Sequence, residues 1–419
     1  MSVILRYLLS LTIFGFLFLC SPTGSYAAPV PIKPGIWRGI LQRPDGHQVI
    51  FNFESVNAKG KPMLYVINGE ERLLVDSIRQ SGDSVWIVMP YFASRFNLRL
   101  TNQNSLEGTY IKNYGKRNMA IPFTASYGIR ERYHASQGPR TNFSGRWAVS
   151  FFSPSEDTTE AVGEFVQDPK GKVTGTFLMA SGDYRYLHGI VSGDSLYMSG
   201  FDGGHALLFT ARLDNNNTIT DAHLYSGLTS HSQWVAHRDA NAKLPDGYSH
   251  TKLRAGENRL NFRFPDTNGD TVSINDSKYQ NKVVIIQILG SWCPNCLDET
   301  EFLSDYYNKN SSKGIEIIGL AYERTEDFTA SKKALESFRR RLNVKYPFLI
   351  TGVTVSDSLK TEKTLPQLDK IESFPTSIFI DKKGIVRKIH SGYDGPATGQ
   401  HYEEFKKEFN ELMNSLLKE

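Results

Sequence analysis

Cys293 and Cys296 stand three residues apart in Trp292-Cys293-Pro294-Asn295-Cys296, and Glu299 follows three residues later. Only one other cysteine occurs among the three in the chain, Cys20 near the N-terminus. One close pair with no further thiol is not a disulfide scaffold; it serves redox chemistry or a metal. A structural zinc site needs two more ligands at suitable spacing, and no second cysteine pair exists. Thiol–disulfide exchange needs only the two sulfurs: one attacks as a thiolate, and the other resolves the mixed disulfide.

The flanking segments must position that pair. Val283 to Leu289 is nearly all apolar and largely β-branched, which predicts a strand buried on both faces. A helix is expected from Pro294 to about Asn308, with Pro294 tolerated in its first turn. Cys293 then sits at the helix start, where unpaired N–H groups and the positive end of the helix dipole favour the attacking thiolate. Cys296 falls over the same helical face, within disulfide-bonding range. These positions predict that Cys293 attacks, Cys296 resolves, and Trp292 shields the site. Glu299, one turn beyond Cys296, is a candidate proton relay. Its alternative is a solvent-facing acid near a helix N-terminus. Gln287 puts a polar side chain into the apolar strand, and the sequence gives no reason for it.

Further on, strands are expected at 315–322, 348–351, 377–381 and 384–390, with a basic helix over 328–342. Tyr402, Phe405, Phe409, Leu412 and Leu416 fall at helical spacing at the C-terminus. Alternating strands and helices imply a mixed α/β sheet covered on both faces.

The buried strand, Trp-Cys-x-x-Cys, helix and later Phe374-Pro375-Thr376 together resemble a thioredoxin fold. The Pro265-Asp266-x-x-Gly269 hairpin and the Val283-Val284-Ile285-Ile286 strand resemble, more narrowly, the exported TlpA/ResA-type thiol-disulfide oxidoreductases of the AhpC/TSA-Redoxin superfamily. The resemblance covers about residues 255 to 419. It implies a cis peptide at Pro375 beside the cysteines, with Trp292, Phe374 and Pro375 contacting the substrate chain. It also implies a redox disulfide between Cys293 and Cys296, with Glu299 as the matching acid and no cofactor or metal. Its substrates would be cysteines of envelope proteins, such as apocytochrome c or wrongly oxidised thiols. A membrane thiol reductant would supply the electrons, and a reductase is the implied direction. Gly290 stands where peroxidase relatives carry Thr or Ser, so peroxidase chemistry is not expected. A copper or other metal role for His390 is not expected either.

The region before this domain reads differently. Turn signals such as Pro44-Asp45-Gly46 and Asn68-Gly69 punctuate short alternating runs, and no long helical period appears. Gly35-Ile36-Trp37 recurs as Gly145-Arg146-Trp147, 110 residues later. Ser81-Gly82-Asp83-Ser84-Val85 recurs as Ser192-Gly193-Asp194-Ser195-Leu196, 111 residues later. Leu98-Arg99-Leu100 is echoed by Ala211-Arg212-Leu213. The near-constant offset predicts a duplicated β module, each copy an antiparallel barrel or sandwich. The expected organisation is a signal peptide over 1–27, modules over 29–135 and 142–240, a linker over 241–256 and a thioredoxin-like domain over 257–419. The modules hold no cysteine, and their motifs suit strand starts and turns. They are therefore expected to position the enzyme, to stay out of the active site and to fold apart from the other half.

Arg6, the apolar run of 12 from Leu8 to Leu19, and Ser25-Tyr26-Ala27-Ala28 form a signal-peptide pattern with cleavage after Ala27. Export to the periplasm or cell envelope is the expectation. Acylation of Cys20 is less favoured, because Leu19 stands where a small residue is wanted. A net charge of +4 over 419 residues gives no reason to expect a nucleic-acid partner. The rival to an enzyme is an envelope binding or scaffold protein whose β modules hold a partner, with the redox domain accessory.

Overall fold

The computed structural model describes residues 31–419 except 59, 115–116, 154–155, 215–217 and 245–249. The expected signal segment, with Cys20 and the cleavage site after Ala27, lies outside the described residues, as does part of the expected linker.

Strands β1–β9 (Gly35–Gln42, Gln48–Ala58, Lys61–Asn68, Glu71–Val75, Ser77–Ser81, Ser84–Val88, Ser94–Asn102, Ser105–Tyr114 and Arg117–Tyr127) form one antiparallel sheet. Its order is β4-β3-β2-β1-β9-β8-β7-β6-β5. Strands β10–β18 (Gly145–Ser153, Glu156–Gln167, Lys172–Met179, Gly182–Asp183, Leu187–Ser192, Ser195–Phe201, Ala206–Leu213, Thr218–Ser226 and Ser230–Arg238) form the second. Its order is β11-β10-β18-β17-β16-β15-β14-β12-β13, and an added β11–β12 pairing closes it into a barrel.

The sequence repeats occupy equivalent places. Trp37 and Trp147 are both fully buried, and each indole N–H donates at 2.9 Å to the carbonyl four residues earlier, Lys33 and Phe143 respectively. Ser81 pairs with Ser84 and Ser192 with Ser195, so each Gly-Asp is a two-residue hairpin turn. Gly82 and Gly193 both sit at φ 60°, where a side chain would be strained. The duplicated all-β architecture is therefore borne out.

The two modules share an interior. Phe51 stacks on Phe201 with centroids 4.2 Å apart, inside one continuous cluster that also holds Phe96 and Phe123. Two buried arginines stitch the seam through backbone carbonyls. Arg43 donates to Ser226 and Ser230, and Arg132 donates to Ser199 and to Ile67.

In the C-terminal part, β19 (Arg263–Pro265) and β20 (Thr271–Ser273) make the expected hairpin. There follow β21 (Val283–Leu289), α1 (Pro294–Asn310), β22 (Ile315–Ala321), α2 (Phe328–Arg341) and β23 (Phe348–Ile350). Then come α3 (Lys360–Thr364), β24 (Thr376–Ile380), β25 (Val386–Ser391) and α4 (Gln400–Lys418). The sheet order is β23-β22-β21-β24-β25, parallel across β21–β22–β23 and antiparallel across β21–β24–β25. Alternate residues of β21 face opposite ways. Val283, Ile285 and Leu289 pack with Leu297, Phe338 and Met413 of α1, α2 and α4. Val284, Ile286 and Ile288 pack with Phe262, Leu365 and Ile371 on the other face. This is the thioredoxin fold that the motifs implied.

More than a linker joins the halves. Phe92 and Tyr91, from the loop after β6, enter the same cluster as α2, with the Tyr91 and Phe338 rings 6.0 Å apart. Arg185, in the loop after β13, is the ionic hub. It pairs with Glu71 of the first module at 2.6 Å, Asp202 of the second at 3.6 Å and Asp298 of α1 at 3.0 Å. All four side chains are nearly buried, and removing one member of such a group strands the others without a partner. Arg185→Ala should therefore cost about 3–5 kcal/mol. Urea unfolding monitored by tryptophan fluorescence checks this, and limited proteolysis should cut between the halves faster in the variant.

Candidate active site

The site grows out of the end of β21. The chain leaves the strand at Leu289, turns at Gly290-Ser291-Trp292 and enters α1 with Cys293 as the N-cap. A Cβ at Gly290 would lie 2.1 Å from the Trp292 indole nitrogen, so only glycine lets the ring fold back over the turn. That indole N–H donates to the Tyr322 carbonyl at 2.8 Å, and the ring lies 5.5 Å from Phe374. Ser291 is held by Glu323, which accepts from its backbone N–H at 2.8 Å and its hydroxyl at 2.7 Å.

Cys293 and Cys296 are free thiols, both buried, at 5% and 0% exposure. Cys293 Sγ accepts the Cys296 backbone N–H at 3.2 Å, the bond an N-cap side chain makes to the first turn. It also lies 3.5 Å from the Phe374 carbonyl oxygen. The Phe374–Pro375 peptide is cis, and that loop flanks the sulfur opposite the helix. Trp292, Phe374 and Pro375 thus gather around Cys293. Cys296 faces inward, and burial pushes its thiol well above the ordinary range, helped by the neighbouring Cys293. The two sulfurs therefore differ in access.

Glu299 is not a solvent-facing helix acid; it is 1% exposed. Ser377 Oγ donates to its Oε1 at 2.9 Å, and Gln287 Nε2 donates to its Oε2 at 2.9 Å. Burial pushes this carboxyl up to about 7, against the pull of those two donors. Its charge is also felt at Cys296. The polar residue in the apolar strand now has a reason. Gln287 is fully buried, also bonds Thr300 at 3.0 Å and accepts from the Tyr346 hydroxyl at 3.3 Å. The sequence marked Gln287 as an anomaly but could not show its partners on α1 and beyond.

The expectation that the β modules stay out of the active site is corrected by the packing. Asn295, inside the Cys-x-x-Cys, donates to the Ser181 carbonyl of the second module at 3.4 Å. Asp183 accepts the Gly395 backbone N–H at 2.9 Å beside it. Tyr110, Lys112, Met119 and the 204–206 loop face Trp292 and Pro294 across a cavity of about 180 Å³. Nothing local in those stretches signals this role, because they reach the site only through the tertiary fold.

Residues 254–404 match the Redoxin family. Thiol-disulfide oxidoreductase ResA of a Bacillus cereus strain is 30% identical over 139 residues, covering 33% of this chain and 70% of the relative. ResA of Bacillus thuringiensis subsp. konkukian is 28% identical over 156 residues, covering 37% and 79%. A solved thiol-disulfide oxidoreductase from Bacteroides fragilis NCTC 9343 aligns at 16% identity with a TM-score of 0.27, over 36% of this chain and 99% of that one.

The difference in access gives a direct test. In the reduced protein, iodoacetamide should label Cys293 first, and Cys296 only when α1 frays. Peptide mass spectrometry over a time course reads the order. Faster labelling of Cys296 would reverse the assignment.

Proposed function

The chain belongs, through its C-terminal domain, to the ResA-type thiol-disulfide oxidoreductase family, and from that premise we propose an exported protein-disulfide reductase acting on envelope cysteines. The observation that carries the reading is the asymmetric pair: Cys293 capping α1 at the cleft, and Cys296 buried beside a carboxyl of raised pKa.

The Cys293 thiolate attacks a substrate disulfide. The substrate S–S bond breaks, one substrate thiolate leaves and is protonated, and a mixed disulfide forms on Cys293. Cys296 then gives its proton to Glu299 and attacks the Cys293 sulfur, releasing the second substrate thiol. Two electrons pass to the substrate, and the enzyme is left with a Cys293–Cys296 disulfide. A membrane thiol reductant restores the dithiol and completes the cycle. Trp292, Phe374 and Pro375 hold the substrate chain at the sulfur. Substrates are cysteine-containing envelope proteins, with apocytochrome c as the type case. The N-terminal signal pattern supports delivery to the periplasm or envelope. Among the described residues, no helix is long and apolar enough to cross a membrane.

Cys296→Ser should leave mixed disulfides unresolved and capture substrate proteins as adducts that collapse on reduction, whereas Cys293→Ser should capture few or none. Non-reducing gels of cells carrying each variant read this out, and equal capture by both would contradict the roles.

The Glu299 role has a pH signature. Below about 7 the carboxyl is protonated and cannot take the Cys296 proton; above that value the carboxylate can. Resolution should therefore accelerate as pH rises through about 7. Glu299→Gln should abolish that step while the fold stays intact. Gln287→Leu should keep the step but move it to higher pH, because a donor to the carboxylate is lost. Stopped-flow release of thiol from a preformed mixed disulfide measures it. Identical profiles in all three proteins would reduce Glu299 to a structural residue.

A further inference from the structure

The β region forms one wall of the cleft at the cysteines. Lys112 comes from β8, and His205 comes from the loop between β15 and β16. Across the cavity of about 180 Å³ stand Trp292, Pro294 and Arg324. Trp292 and Pro294 bracket Cys293, the residue proposed to attack, in the chain, so the cavity is lined by both of its neighbours. Pockets that enclose a whole small molecule run from about 300 to 1,000 Å³. This one is smaller and fits a single side chain of a larger substrate.

The charge on its walls has one sign. Lys112 and Arg324 bring cations, His205 brings an imidazole, and none of its described lining residues is a carboxylate. Each group is held in place. Lys112 is 7% exposed, and its ammonium donates to the Gly204 carbonyl. The Arg324 guanidinium lies 5.1 Å from the centroid of the Trp292 ring. His205 Nδ1 lies 3.4 Å from Asp202 Oδ2. Two carboxylates lie behind this wall without lining the cavity: Asp202 also accepts the Gly204 and His205 backbone N–H groups at 2.7 and 2.5 Å and pairs with Arg185, and Glu323, whose charge is felt by Arg324, is held by Ser291. The wall itself is braced, because the Tyr110 and Ser94 hydroxyls both donate to the Gly203 carbonyl, at 2.9 and 2.6 Å. A fixed cationic pocket favours an anionic group and rejects a cationic one.

Resting on the dithiol reading above, we propose that this cavity is a recognition subsite for an acidic side chain, Asp or Glu, flanking the reactive cysteine of a protein substrate. The thiol exchange is unchanged; the subsite selects which cysteines reach Cys293. It is built from both β modules and the redox domain, so the redox domain without the β region would lack it.

The test uses the full-length enzyme and disulfide-linked peptides that differ only in a Glu, Gln or Lys beside the cysteine. Hydroxyethyl disulfide, small and neutral, is run in parallel to report the dithiol chemistry by itself. The wild-type kcat/KM should fall in the order Glu, Gln, Lys, with Glu over Lys by about tenfold, the scale of one charge-assisted contact. Arg324→Glu, at an exposed position, and Lys112→Gln should each shrink that ratio, and Arg324→Glu should bring it to one or below. If Lys112→Gln fails to fold, Arg324→Glu decides alone. Turnover of hydroxyethyl disulfide with equal rates on all three peptides would overturn the subsite and leave the dithiol reading standing. A Glu-over-Lys ratio unchanged in Arg324→Glu would also overturn it. No turnover of any disulfide would overturn the dithiol reading, and the subsite with it.

Discussion

The hydrogen bond from the Cys296 backbone N–H to Cys293 Sγ, at 3.2 Å, is the contact around which the site is arranged. It makes the sulfur the N-cap of α1, and so ties the reactive atom to a helix end that has unpaired donors to offer. Everything near it serves that seating. β21 is buried on both faces and fixes where the helix begins. Gly290 lets Trp292 fold over the turn, and Glu323 pins Ser291 beneath it. The cis Phe374–Pro375 loop closes the opposite side. The same helix turn that presents Cys293 carries Cys296 and Glu299 inward, into a region where burial raises both groups. One helix thus holds the less deeply buried sulfur at its tip and a fully enclosed sulfur and carboxyl behind it.

The β region bears on that arrangement through Arg185. A single guanidinium meets carboxylates from both modules and from α1 itself. An ion group this buried contributes modest net stability but is costly to break. It also ties the 204–206 loop to the redox domain, because Asp202, one of its carboxylates, accepts the Gly204 and His205 backbone N–H groups. The helix that holds the cysteines is therefore braced by residues more than a hundred positions away in the chain.

What was legible in the sequence was local chemistry. Trp-Cys-x-x-Cys, the apolar β21 run and the C-terminal helix each carry their signal within a few residues. The β duplication was legible for a similar reason, since Gly82 and Gly193 answer the same backbone demand at equivalent turns. What was not legible depends on distant partners. Nothing in the neighbouring sequence marks Arg43, Arg132 and Arg185 for burial; each is buried because carbonyls or carboxylates from remote strands meet it. Gln287 was visible as an exception, but its purpose required Glu299 on α1 and Tyr346 before β23. The wall that the modules raise beside Trp292 left no trace in periodicity, because strand ends and turns gather there from several parts of both sheets.

The central claim is that Cys293 and Cys296 form one reversible dithiol–disulfide couple. The most direct measurement is the intact mass of the protein after equilibration in graded dithiothreitol redox buffers. The account predicts a loss of two hydrogens in a single two-electron transition, absent in Cys293→Ser. A protein that keeps both hydrogens across the whole range, or that oxidises only by joining two chains, would contradict it.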